Sequence, residues 1–319
     1  MITHQVTPLH IAGNTTPKQN EKLKGNLDEA VNRVYKETLK QLDEHKMALV
    51  LEFEDKFKAE LTSAAHKIIE RLITSEKYQE EETISRREYP SAYYVRPIEA
   101  QVTALREAFP SLGGCIERLA RNPVPDEAEA WFAIPRWQAV APTYCAAVEE
   151  MVKVIESKRR FSNRLTENLG PKFMRQHERT RLAEELVAKQ QPGSDILVLA
   201  AQFGLRHRGC SARRARVVMA SNEFGLGAFA LGCMLITHPE RLSSLETLMI
   251  DCSGDEYSLR ADTIYDRVPL FDFDLGGVEF SVFYEDRARN LWGTPTAFAV
   301  NVSLDKTPLA ISSAVHRLP

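Results

Sequence analysis

Long hydrophobic runs are missing from this 319-residue chain. No stretch reaches the roughly 18 uncharged apolar residues that a membrane-crossing helix requires. The nearest, Gly225 to Thr237, is too short and too rich in glycine, and reads as a buried segment. Cysteine is scarce as well. Cys115, Cys145, Cys210, Cys233 and Cys252 are odd in number and scattered, with no Cys-x-x-Cys pair. They suggest neither a disulfide framework nor a zinc knuckle, and no metal or other cofactor is expected. The opening residues, MITHQVTPLHIAGNTTPKQN, have no basic cluster followed by an apolar run. They do not read as a secretory signal, and the expected location is cytoplasmic. Repeats of fixed period and low-complexity tracts are also lacking. What is there is a globular composition, 44% hydrophobic and 27% charged, which excludes wholesale disorder.

The formal charge of -3 conceals an uneven distribution. From Lys153 to Arg216, 15 Lys and Arg stand against 6 Asp and Glu; from Glu240 to Arg289, 5 Arg stand against 12 acids. The two regions either compensate each other within the molecule or between copies, or the basic one takes an anionic partner.

Residues 1–20 lack periodicity and read as a flexible arm. Beyond them, Val31, Tyr35, Leu39, Leu42, Lys46, Val50, Phe53, Phe57, Leu61, Ala64, Ile68 and Leu72 step by four, four and three. All but Lys46 are apolar, and no Gly or Pro interrupts Asn26 to Tyr89. This spacing predicts one long amphipathic helix within 21–89, with self-association through it as one way to cover its stripe. Residues 90–192 read as a helical region: a helix begins after Pro97, another after Pro142 with Val148, Val152 and Ile155 on one side, and a third after Pro171, with Leu112 to Leu119 also helical. The aromatics of AWFAIPRWQAVAP read as core.

From Gly193 the texture changes. DILVLAAQF and MIDC read as buried strands, PLFDFDLGGVEFSVFYED as a hairpin turning at Gly276 and Gly277, and TAFAVNV as a further strand. Ser211 to Ser221 and Gly225 to Ile236 read as helices, the second with small residues Ala228 and Gly232 on one face for close packing. The expected fold is therefore α+β: a long N-terminal helix and helical region (90–192), then a smaller mixed α/β domain (193–319) with a C-terminal β-hairpin.

Ser211 is a natural N-cap, and Arg206, His207, Arg208, Arg213 and Arg214 crowd positive charge at that helix start, where it is unfavourable unless neutralised. This set is a candidate anion site. The competing reading is a salt-bridge network with the acidic region, Asp251, Asp255 and Glu256 being the named acids. The segment matches neither a Walker loop nor a dinucleotide fingerprint. Asp251, Cys252 and Asp255, at the expected end of a strand, are the candidates for catalysis. Cys252 would need a histidine nearby. His238 reads as a residue with a satisfied local hydrogen bond.

QFGLRHRG (202–209), NEFGLGAF (222–229), THPERL (237–242) and IDCSGDEY (250–257) resemble a recurring, uncharacterised bacterial protein family, over about Ala130 to Val300. The resemblance implies no activity and transfers no catalytic residue. Two functional expectations follow from the residues. One is a non-enzymatic assembly or interaction protein, whose basic region meets an acidic protein surface or nucleic acid. The other is a small hydrolase or transferase acting on a phosphorylated substrate, gripped by Arg206, His207 and Arg208 with Asp251 or Asp255 assisting.

Overall fold

The structure, a computed structural model, describes residues 76–299 except Glu167 and Asp262, together with Lys22, Gly25, Asp28, Glu29, Asn32, Arg33, Lys36, Asp43 and Lys56. The chain divides into two compact units, Met1–Arg71 and Leu72–Pro319. Of the first unit, the described residues are helical except Asp43, and Arg33 pairs with Glu29 one turn earlier at 3.2 Å.

Among the described residues no long N-terminal helix is evident, which corrects the sequence expectation. Asp43 is not helical, and the backbone leaves the helix at Glu76 for turns, a short 3-10 segment at Gln79–Glu81 and an extended stretch to Tyr89. Tyr78 takes a left-handed φ of 61°. The arm 1–20 and every residue of the apolar stripe lie outside the described residues.

In the second unit the order is α1 (Ile98–Ala108), β1 (Ala130–Pro135), α2 (Tyr144–Lys158), β2 (Phe161–Asn163), β3 (Met174–Gln176), α3 (Glu178–Gln190), β4 (Ile196–Gln202), α4 (Ala212–Val218), β5 (Glu223–Gly225), α5 (Ala228–Thr237), β6 (Met249–Asp251), β7 (Asp255–Tyr257), β8 (Arg267–Asp274), β9 (Gly277–Tyr284), β10 (Trp292–Gly293) and β11 (Thr296–Phe298). One sheet is antiparallel, in the order β1-β4-β11-β5. The other runs β10-β6-β8-β7-β3, with β9 also paired to β8 and β2 parallel to β9.

The second correction concerns 90–192, which has the helices α1, α2 and α3 but is not helical alone. It holds β1, β2 and β3, and each pairs with a strand from beyond residue 193: β1 with β4, β2 with β9, β3 with β7. β2 and β3 have three residues each, too few for a period of two to register. β1 ends on Pro135, and proline belongs on an edge strand because it has no N-H to give a neighbour. β1 is indeed the edge, and the buried amide of Gln101 on α1 covers it, accepting from Ala133 N-H at 2.9 Å and donating to Trp131 O at 3.2 Å.

The core forms around α5. All ten of its residues are buried, as expected of a helix apolar on every side. It packs on α2, α1 and β1. Gly232 admits the Met151 side chain from α2, and any added Cβ would overlap the methionine sulfur. β4, buried along its whole length, lies between β1 and β11 in its sheet.

Candidate functional site

The arginine-rich stretch between β4 and α4 is met by acids of the same chain. Ser211 caps α4, its Oγ accepting from Arg214 N-H at 2.9 Å while donating to the Glu81 carboxylate at 2.6 Å. Arg213 also pairs with Glu81 and stacks over the Tyr78 ring at 4.1 Å. Arg214 pairs with Glu82, Arg208 with Glu88. Backbone joins the two segments too: Thr83 N-H donates to Gly209 O at 2.8 Å, Ser211 N-H to Glu81 O at 3.0 Å, and Glu82 bridges Cys210 in antiparallel fashion. Residues 81–88, extended beyond the 3-10 end at Glu81, thus lie as a strap whose three glutamates, interrupted by Arg86 and Arg87, meet an arginine ladder. Ser85 Oγ donates to Asn290 O at 2.6 Å, and Leu248 N-H to Glu88 O at 3.1 Å, holding the strap's far end.

The remaining members turn inward. His207 meets the fully buried Glu223 at 2.7 Å, and Arg206 reaches the same carboxylate at 3.2 Å. Burial alone would raise the Glu223 pKa. The hydrogen bond and charge of His207, with donation from Thr296 Oγ1 and Ala220 N-H, outweigh it and hold the carboxyl down at about 2. Arg216, which sequence reasoning did not single out, clamps the turn after β6: it donates to Ser253 O, to Asp255 O and, at 2.5 Å, to Glu285. Of the acids in the acidic region, then, Glu285 is the one that meets the α4 arginines among the described residues.

The three carboxylates of IDCSGDEY face different surroundings. Asp251 accepts from Thr294 Oγ1 at 2.8 Å, and burial pushes it up to about 7. Asp255 accepts from the Tyr144 hydroxyl at 2.7 Å and from Ala228 N-H, the first residue of α5, at 2.6 Å; burial pushes it up to about 7. Glu256 pairs at the surface with Arg175 at 2.7 Å. Cys252 is fully buried, which pushes its thiol well up, away from the reactive thiolate. His238 accepts from Arg96 N-H at 3.1 Å and contacts Thr237 Oγ1 at 2.9 Å; burial lowers it to about 4, so it is neutral. Among the described residues no three His, Cys, Asp or Glu side chains gather as a metal site, and no helix is long and apolar enough to cross a membrane.

Sequence reasoning missed Glu81, Glu82, Glu88 and Glu223 as partners. The acidic triplet Glu80 to Glu82 was the available signal, but it lay within the expected long helix. Arg241 was missed too. It is fully buried, donates to Leu248 O and Phe203 O at 2.7 Å each, and lies over the Tyr89 ring at 4.3 Å. No protein-family model, curated protein or solved structure matches the chain.

Proposed function

We propose that the chain is an interaction protein whose arginine ladder takes an extended acidic polypeptide segment, with its own strap as the resident occupant. The observation that carries this reading is the combination of carboxylates on Arg208, Arg213 and Arg214 with backbone pairing at Gly209 and Ser211. A polypeptide supplies both, as in strand-addition recognition; a nucleic acid supplies only the charge. The outer acids of the strap are the exchangeable part, whereas Glu81, 8% exposed, anchors it on Arg213 and Ser211. Glu88 is 64% and Glu82 42% exposed, and ion pairs of that kind contribute about 0–1 kcal/mol each. Nothing favours the phosphate-gripping enzyme, since Arg206 and His207 turn to Glu223, Arg208 to Glu88, and Asp251 and Asp255 to separate buried partners.

The test uses the full chain carrying Glu81→Gln and Glu82→Gln, which loosens the strap, and a labelled peptide of sequence QEEETISRRE. Fluorescence anisotropy is expected to show binding at least tenfold tighter than to the wild type, weakened by salt and lost when Arg213→Ala and Arg214→Ala are added. Absence of binding by the loosened variant, or equal binding of single-stranded DNA, would overturn the reading.

A further inference from the structure

A cleft of about 450 Å³ lies away from the ladder, over the face of the first sheet and beside α3. Its apolar side is built from Ile134 of β1, from Leu197 and Leu199 two residues apart on β4, and from Trp137, whose ring meets Tyr144 edge-on at 6.1 Å. Ile134 and Leu197 are register partners, so one face of the β1-β4 pair makes a continuous apolar surface. The polar side is different in kind. Gln176 Nε2 donates to Glu184 Oε2 at 2.8 Å, and the other Glu184 oxygen accepts no hydrogen bond from the described residues. Arg181 is tied to Glu185 at 2.6 Å. Arg136 and Lys189, which also line the cleft, enter no ion pair among the described residues.

We infer that this cleft binds a small amphipathic carboxylate, its apolar body on Trp137, Leu197 and Leu199, and its acidic group at Arg136 and Lys189. The volume falls within the range of small-molecule sites, which are mostly apolar with a few placed polar groups. The sign of the ligand follows from the lining. Three cations, Arg136, Arg181 and Lys189, stand against Glu184 and Glu185, and only the first and third are uncommitted. Burial pushes Glu184 up to about 7, which weakens its repulsion of an anion and lets its carboxyl donate to one. A guanidinium and an ammonium on the same rim suffice for a carboxylate or, with lower selectivity, for phosphate.

The probe is indole-3-acetate, with tryptamine as the cation of the same ring system and inorganic phosphate as the anion without an apolar body. Titration calorimetry on the full chain is expected to show saturable binding of indole-3-acetate below millimolar concentration, with tryptamine and phosphate at least tenfold weaker. Arg136→Ala with Lys189→Ala should weaken indole-3-acetate at least tenfold while far-ultraviolet circular dichroism stays unchanged. Glu184→Gln should tighten it at pH 8, where wild-type Glu184 is ionised; the other charged or titratable groups near it are Arg136, Arg181, Glu185 and Lys189 in the cleft and Tyr144 and Asp255 behind it. No binding of indole-3-acetate, binding unaffected by the double substitution, or equal binding of tryptamine would overturn the inference.

Discussion

At the scale of single residues, the buried acids divide by whether a cation meets them. Glu223 has Arg206 and His207 and stays ionised; Glu223→Ala leaves the buried His207 without its partner, while Arg206, 31% exposed, keeps Glu127. The substitution is expected to destabilise by about 1–3 kcal/mol in urea unfolding, Glu223→Gln by less. Asp255 has hydrogen bonds but no direct cation, so its folded pKa, about 7, lies above its unfolded value. The folded state holds that proton more tightly, so the associated stability is complete below about pH 4 and is lost as the pH rises through 7. Asp251 and Glu184 act in the same direction. His177 and His238, lowered to about 4 mainly by burial, act in the opposite direction, but only below about pH 6.5. Between pH 6.5 and 8 the wild type should therefore lose stability, and Asp255→Asn should lose less, becoming the more stable protein at pH 8. Unfolding free energies at the two pH values check this, and an unchanged slope in the variant would refute it.

At the scale of elements, two backbone positions control how segments meet. The β8-β9 turn places Leu275 and Gly276 at φ 47° and 79° between the closing pair Asp274 and Gly277, the two-residue hairpin geometry with both central residues left-handed. Leucine is poorly suited to that region and its side chain is exposed, so Leu275→Asn should stabilise the unit by about 0.5–1 kcal/mol, read as a raised melting temperature. Gly209, at φ 79°, is where the strap comes closest: an added Cβ would strike Thr83 O. Gly209→Ala should therefore release residues 79–88, seen as faster amide hydrogen exchange there, while α5 and β4 keep their protection.

At the scale of the whole molecule, the pairing of β1, β2 and β3 with β4, β9 and β7 makes the second unit indivisible at residue 193. Chains cut to 193–319 should fail to give a cooperative melt by circular dichroism, because β4, β7 and β9 each lose a neighbour and α5 loses the helices and strand that cover it. Chains cut to 72–319 should melt in one transition. The long basic-to-acidic asymmetry of the sequence is resolved in part inside this unit: Arg164, Arg175 and Arg216 pair with Glu279, Glu256 and Glu285 of the acidic stretch, while Arg206 to Arg214 take the strap acids and Glu223.

Local signals were enough for much of this fold. The apolar run 196–202, the serine cap at 211 and the prolines before α1 and α2 each act on neighbours a few residues away, and each is where the sequence places it, while the hairpin turn falls on Leu275 and Gly276, one residue before the expected Gly276 and Gly277. Three things depended on the path of the chain. Strands of three residues form where the fold brings a partner's edge alongside, the long β9 for β2 and the equally short β7 for β3, so neither leaves a periodicity to read. The arginines of 206–214 have acidic partners up to 132 residues away, and charge counting along the sequence assigned them to the wrong stretch. The Glu184 cleft gathers residues from β1, β3, α3 and β4, and only the packing of the sheet face against α3 brings its unpaired cations and apolar wall together.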